Sequence, residues 1–210
     1  MYLSKLILDP GHSQARRDLA DAYEMHRTLC RAFSPFADAP PRRFLWRTEC
    51  GNGPTNTEGA VVLVQSSEPG DWQALFAQRE YAPRLHANKK VDLTALLRQG
   101  RRYHFRITAN PTVTRAGKRY GLSQEDTQQD WLARQGERCG FRLLEAVRGS
   151  SERLIVKQPN KGNRITVQTV RFDGVLEASD TDALRKALLG GVGHGKALGL
   201  GMLSVAPVGA

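Results

Sequence analysis

The sequence predicts an α+β fold, on three observations. Short apolar runs cut off by Pro, Gly or Asn mark strands. Longer stretches whose apolar residues step by three and four mark helices. The order strand, helix, strand, strand, helix, strand then runs through the chain twice, βαββαβ in each half, which is the plan of the ferredoxin-like module. A chain of 210 residues has room for two such modules in tandem, at about 100–200 residues per domain.

Tyr2–Leu8 is mostly apolar and stops at Asp9-Pro10-Gly11, so it reads as the first strand. Ser13–Phe33 follows as one long helix. Leu19, Ala22, His26, Leu29 and Phe33 fall on one face of it, and Arg16, Arg17, Arg27 and Arg31 supply much of its charge. Pro35 and Pro40-Pro41 close that unit. Phe44–Thr48 and Ala60–Gln65 are strands on either side of the turn-rich stretch Gly51–Gly59. Pro69-Gly70-Asp71 opens a shorter helix, Trp72–Arg79, with Pro near its start. Pro83–Gly100 has a weak pattern and several basic residues and reads as the joint between halves, the fourth strand of the first half being poorly marked.

In the second half, Tyr103–Ala109 is a strand stopped by Asn110-Pro111. Ser123-Gln124-Glu125-Asp126 resembles an acidic capping box before a helix that runs to Glu137. Phe141–Val147 is a strand, and Leu154–Lys157 and Ile165–Phe172 form a hairpin around the turn Gln158–Asn163. Asp180-Thr181-Asp182 caps a last helix, Ala183–Leu189, and a glycine-rich segment, Gly190–Gly201, leads into a terminal strand, Met202–Val208. The expected domains are residues 1–90 and 91–210, the second holding the basic hairpin and the C-terminal glycine-rich loop.

Composition narrows the function classes. There are 31 Lys and Arg against 21 Asp and Glu, a formal net charge of +10, which argues for a polyanionic partner, nucleic acid or an anionic membrane surface. No apolar run approaches the roughly 20 residues of a membrane span, and Met1-Tyr2-Leu3-Ser4-Lys5 does not begin a signal peptide. The three cysteines, Cys30, Cys50 and Cys139, are odd in number and far apart, which fits a reducing cytoplasm and no disulfide framework. There is no CxxC, HExxH or EF-hand spacing, and His12, His26, His86, His104 and His194 are scattered, so no local metal site and no cofactor is expected.

Gly190-Gly191-Val192-Gly193-His194-Gly195-Lys196-Ala197 nearly satisfies GxxxxGK[ST], but Ala197 lacks the hydroxyl that would hold Mg²⁺. A P-loop also follows a strand and opens a helix, the reverse of this context. Glycines can still bring backbone N–H groups to a phosphate, and Lys196 beside them tilts the segment towards polyphosphate binding rather than a plain connection with packing glycines.

The chain resembles the CasE (Cse3) family, the CRISPR-repeat endoribonuclease subunit of type I-E Cascade. The resemblance rests on Tyr2-Leu3-Ser4-Lys5, Tyr23-x-x-His26, Arg106-x-x-Ala109-Asn110-Pro111, Gln168-Thr169-Val170-x-Phe172-x-Gly174-Val175-Leu176 and Gly191-x-Gly193-x-x-Lys196-Ala197-x-Gly199-x-Gly201-x-Leu203-Ser204-x-Ala206-Pro207. It spans residues 2 to 207 in matching order, and the terminal glycine segment is its most specific piece. It implies two ferredoxin-like domains, metal-free cutting of precursor CRISPR RNA at the base of the repeat stem-loop, and retention of the product within Cascade. The partners it implies are the repeat stem-loop RNA, as precursor and mature crRNA, and the other Cascade subunits. No membrane is involved, and the free protein is expected to be a monomer. A non-catalytic RNA-hairpin-binding subunit of a CRISPR ribonucleoprotein is the alternative, and a small-anion binder built on the glycine loop is a third class.

Attack of an RNA 2′-OH on the adjacent phosphorus leaves a 2′,3′-cyclic phosphate and a 5′-OH. It needs in-line positioning, proton transfer and stabilisation of the phosphorane. Histidine is the natural proton carrier. By periodicity His26 reads as a core histidine; the resemblance makes it the general acid/base. Tyr23, three residues earlier and so neighbouring on the helix, reads as a core aromatic by pattern and as a positioner or proton-transfer partner by resemblance. Arg31, where some members carry lysine, is matched to phosphorane stabilisation and Ser34 to orienting a phosphate oxygen. The RNA-binding set is Arg27, Lys157, Lys161, Arg164, Gly193 and Lys196. In the family a basic hairpin of the second domain enters the RNA stem groove, where shape and phosphate contacts dominate. The tip around Lys157, Lys161 and Arg164 departs most from that pattern and also reads as a solvated turn.

Overall fold

The computed structural model describes residues 1–34, 36, 39–49, 59–76, 81–82, 84–157 and 164–209, apart from the side chains at 74, 76, 156, 157, 164 and 165. Cys50, nearly all of the Gly51–Gly59 loop, the helix end expected at Arg79, and the turn Gln158–Asn163 with Lys161 lie outside the described residues. The chain forms two compact units: Met1–Val91 with Ala197–Gly199, and Asp92–Lys196 with Leu200–Ala210.

The first unit runs β1 (Tyr2–Leu8), α1 (Ser13–Ala20), α2 (Ala22–Cys30), β2 (Phe44–Glu49), β3 (Ala60–Ser66), α3 (Gln73–Phe76) and β4 (Arg84–Lys90). Its strands lie in the order β2-β3-β1-β4, every neighbouring pair antiparallel, which is the ferredoxin-like arrangement. The apolar positions that marked these elements form the core: Leu6 and Leu8 of β1, Met25 and Leu29 of α2, Phe44 and Trp46 of β2, and Val62 and Val64 of β3 are buried together.

The single helix expected over Ser13–Phe33 is instead two. Asp21 is extended (φ −135°, ψ 113°) and caps α2 by accepting the Tyr23 N–H at 2.9 Å. A short carboxylate satisfies a helix start better than a helix interior, so the chain turns there and restarts. The far end tightens: Arg31, Ala32 and Phe33 donate their N–H groups to Thr28, Leu29 and Cys30 carbonyls, i to i−3. The unmarked fourth strand is β4, a polar edge strand with no fully buried position. Its register against β1 shifts opposite Ser4, where Asn88 takes φ +52°, a conformation Asn tolerates. The Asn88 amide holds the bend in place: its Oδ1 accepts from Gly70 N–H (2.9 Å) and Trp72 Nε1 (3.2 Å), and its Nδ2 donates to the Gly70 carbonyl (2.8 Å).

The second unit contains α4 (Leu93–Leu96), β5 (Arg102–Ala109), β6 (Thr112–Arg115), β7 (Lys118–Gly121), α5 (Glu125–Arg138), β8 (Phe141–Lys157), β9 (Arg164–Ala178), α6 (Thr181–Gly190), a 3₁₀ turn at Lys196–Leu198 and β10 (Ser204–Pro207). Its main sheet, β10-β5-β9-β8, repeats the strand order of the first. Along β5, Tyr103, Phe105, Ile107 and Ala109 are buried while the residues between them face outward, the alternation of a sheet covered on one side. Asp180 caps α6 as expected, accepting the N–H groups of Asp182 and Ala183.

Three readings change here. Phe141–Val147 and Leu154–Lys157 belong to one strand, β8, whose register against β9 slips at Leu143/Glu145 and at Arg148/Ser151; the bulges absorb the polar stretch that breaks the apolar pattern. The box at Ser123–Asp126 does not form, since Gln124 is the N-cap and its side chain makes no capping bond. The β6–β7 hairpin carries no clear sequence signal because its turn is Ala116-Gly117. Both residues take positive φ, 47° and 75°, the requirement of a two-residue I′ turn, and Ala does not signal it. Among the described residues no helix is long and apolar enough to cross a membrane.

Candidate active site

The break at Asp21 decides what α2 presents. It starts the helix afresh one residue before Ala22, so Tyr23 sits in its first turn and His26 one turn further on, with Met25 and Leu29 pinned in the core beneath. His26 is half-buried against an aromatic column. Its ring stacks on Phe44 (centroids 5.2 Å apart, 26° between planes), Phe44 stacks on Phe33 (4.6 Å, 15°), and Phe33 meets Trp72 edge-on (5.7 Å, 83°). Nε2 lies 3.6 Å from Cys30 Sγ. Nδ1 is enclosed, with no hydrogen-bond partner among the described residues.

Burial holds the His26 pKa below its ordinary 6.5, because a low-dielectric site disfavours the imidazolium. The ring is therefore neutral at pH 7. Burial also pushes the Cys30 thiol up, so it stays protonated and can only donate weakly to Nε2. With Nδ1 enclosed, Nε2 is the nitrogen through which this ring can exchange a proton with anything outside the fold.

Tyr23 is 37 % exposed, its own N–H held by the Asp21 carboxylate. Glu24, beside it, takes Arg17 at 3.3 Å and Arg27 at 3.1 Å, tying α1 to α2 and orienting Arg27 along the helix. Glu24 is largely buried, but Arg27 is itself 61 % exposed, so its guanidinium stays accessible to an incoming anion. Arg31 is exposed in the turn that follows Cys30. Its field reaches Tyr81, whose hydroxyl is pushed up by burial and by the Asp18 carboxylate it donates to at 2.9 Å, Arg17 and Arg31 opposing both. Ser34 donates its hydroxyl to the Cys30 carbonyl at 3.0 Å, which caps the helix end. Its lone pairs are left to meet a donor, but its proton is already engaged.

Tyr23, His26, Arg27, Arg31 and Ser34 are thus gathered on α2 and the turn after it. Gly193 and Lys196 lie in the second unit, on the connection from α6 to β10, the helix-to-strand context opposite to a P-loop. Gly193 has φ +75°, and a Cβ there would stand 3.0 Å from Trp131 Cζ2, so backbone and packing both demand glycine. Lys196 opens the 3₁₀ turn. Its charge, with that of Arg119, holds His194 below its ordinary value, although burial is the larger cause. Lys157 and Arg164 pair across the far end of β8 and β9; their side chains, and all of Lys161, lie outside the described residues. Among the described residues no three His, Cys, Asp or Glu side chains group so as to hold a metal ion. Two contributors were passed over in the sequence, Cys30 and Phe44. The first was findable, being four residues from His26 on a helix; the second depends on the sheet bringing β2 beneath α2.

Fold and site together define a double ferredoxin-like protein with a neutral histidine and an exposed tyrosine on a capped helix and an excess of basic charge. The model of the family described as CRISPR associated protein matches residues 1–207, and the chain belongs to that family. It is 40% identical to the CRISPR-associated endoribonuclease Cse3 of Thermus thermophilus, over 99% of this chain and all of that one. It is 31% identical to the CRISPR system Cascade subunit CasE of Escherichia coli, again over 99% of this chain and all of that one. A solved structure of Thermus thermophilus Cse3 bound to an RNA representing a pre-cleavage complex superposes with a TM-score of 0.87 at 40% identity, covering 98% of each chain.

Proposed function

We propose that this chain is the endoribonuclease that cuts precursor CRISPR RNA within the repeat, at the base of its stem-loop, without a metal, and keeps the product. The observation that carries the reading is His26: a histidine kept neutral by burial, with Nδ1 enclosed and Nε2 resting against only the weak Cys30 thiol, in a chain that matches an endoribonuclease end to end. A neutral imidazole near an RNA 2′-OH accepts its proton. The 2′-oxygen attacks phosphorus, the bond to the 5′-oxygen breaks, and the products are a 2′,3′-cyclic phosphate and a 5′-OH. Tyr23, exposed at the start of α2, positions the scissile nucleotide or passes the proton to the leaving 5′-oxygen. Arg31 offsets the charge on the phosphorane, the step at which fixed charge contributes most. Ser34 and Arg27 orient and attract the phosphate.

On this reading residues 1–90 form the domain that carries the catalytic helix, and residues 91–210 the domain whose basic hairpin, with Lys157, Lys161 and Arg164, and glycine loop, with Gly193 and Lys196, hold the RNA. The chain acts in the cytoplasm, binds as a monomer and passes with its RNA into a Cascade assembly, as the relation to the CasE subunit supports. The test uses the repeat RNA of the protein's own host. Cleavage in EDTA with a cyclic phosphate end, abolished by 2′-deoxy substitution at the scissile nucleotide, is the expected result. EDTA-sensitive cutting of the deoxy RNA would replace the mechanism with metal-activated water.

A further inference from the structure

The β6–β7 hairpin is a two-stranded sheet of its own, and none of its residues has a part in the proposed mechanism. Its ten residues, Thr112–Gly121, include Arg115, Lys118 and Arg119 and no acid. Among the described residues none of these three forms an ion pair. The register sets Arg115 opposite Lys118 and Val113 opposite Tyr120. Side chains alternate along a strand and directly opposed residues share a face, so these four stand together on one side. Two like charges directly opposed destabilise a ladder, and Tyr120 beside them is 50 % exposed. The other side presents Arg119, whose charge reaches His194 together with that of Lys196. The Val113–Tyr120 pair supports the hairpin, but the opposed cations cost it stability. An anion brought from outside would offset that cost, and the I′ turn holds the face ready before that anion arrives.

The aromatic ring decides which anion. Two cations beside an exposed phenol ring match one stretch of unpaired nucleic acid, with phosphates on the cations and a base on the ring. Bases inside a stem are already stacked on their neighbours and offer Tyr120 no face. We propose that the Val113, Arg115, Lys118 and Tyr120 face of the β6–β7 hairpin is a second RNA contact that holds single-stranded RNA flanking the stem-loop. This inference rests on the RNA-processing reading above.

The test measures affinity for two RNAs, the bare stem-loop and the stem-loop with its single-stranded flanks, each 2′-deoxy at the scissile nucleotide so that it stays intact. Tyr120→Ala is expected to weaken binding of the flanked RNA by about 5- to 140-fold, the range for losing one base stack. Tyr120→Phe is expected to retain it. Arg115→Ala with Lys118→Ala is expected to lower the slope of log K against log salt for the flanked RNA by about 1.4, roughly 0.7 for each single-strand contact. The bare stem-loop is expected to bind all variants as it binds the unsubstituted protein. Equal losses on both RNAs would mean the hairpin grips the duplex, and no loss on either, including the case where only assembly with a protein partner suffers, would mean it does not touch RNA; each overturns the inference. If the unsubstituted protein binds neither RNA, the RNA-processing reading itself has failed.

Discussion

Enclosure of Nδ1 leaves His26 one working nitrogen, and that nitrogen rests against the Cys30 thiol. The thiol is a weak donor, so an RNA hydroxyl can displace it at small cost, and the Phe44 ring fixes the plane in which the exchange occurs. On the proposed mechanism its role is proton transfer, with little share in ground-state binding. His26→Ala is therefore expected to slow cleavage by about 10²–10⁴-fold while the repeat stem-loop still binds, checked by single-turnover cleavage and a binding titration on the same preparation. Near-normal cleavage by the folded variant would remove His26 from the mechanism. The pH profile carries the sign. The base must be neutral, and burial holds its pKa below 6.5, so the acid limb of the kcat/KM profile should reach its half-maximal point below pH 6.5. A decline centred above 6.5 would show that a different group, or a His26 stabilised as the imidazolium, sets the rate.

At the scale of elements, the Asp21 cap matters most, because it divides one long helix into two and sets where Tyr23 and His26 face. Asp21→Ala is expected to cost about 1 kcal/mol, read from chemical denaturation, and to reduce cleavage as well, because α1 and α2 would no longer be held to their present break. Unchanged stability would mean that packing of Met25 and Leu29 alone fixes the helix start. This element also shows what the sequence made legible. The apolar steps of Leu19, Ala22, Leu29 and Phe33 located the helical stretch and, at Leu29 and Phe33, its buried face, while Leu19 and Ala22 are half-buried and Ala15 and Met25, outside that stripe, lie in the core. The break could not be read from them, because Asp21 acts through a hydrogen bond to a backbone N–H and apolar spacing is blind to that. The same holds for β4, whose bend is held by the Asn88 amide, for the bulges that keep β8 continuous, and for the Ala116-Gly117 turn. For the site, periodicity read His26 as a core histidine whereas the structure leaves it half-buried at the core's edge, and chemistry entered only through the family resemblance. The partners that set its protonation, Phe44 and Cys30, come from the sheet and from the next helical turn.

Across the whole molecule the controlling quantity is the net charge of +10, which says how RNA is held more than how it is cut. Each phosphate neutralised releases a condensed counterion, so affinity should fall steeply with salt. Lys157, Lys161 and Arg164 cluster in sequence about the far end of β8 and β9, strands paired out to Lys157 and Arg164, and a paired ribbon of that length can carry basic side chains into a groove of the stem. If all three meet stem phosphates, replacing them together with Ala should lower the slope of log K against log salt by roughly one unit or somewhat less per contact. Discrimination among stems of different sequence should change less than affinity does, because phosphate contacts position an RNA and do not read its bases. A solvated turn would give a different result: a small loss of affinity from reduced long-range attraction, with the slope nearly unchanged. The measurement is a titration of the triple variant with bare stem-loop RNA at several salt concentrations. The bare stem-loop keeps this test separate from the single-strand contact assigned to β6–β7. A slope unchanged within error would move the stem grip away from this hairpin, to Arg27 and Arg31 on the α2 side and to Lys196 on the glycine connection, and the same titration on Arg27→Ala and Lys196→Ala would then locate it.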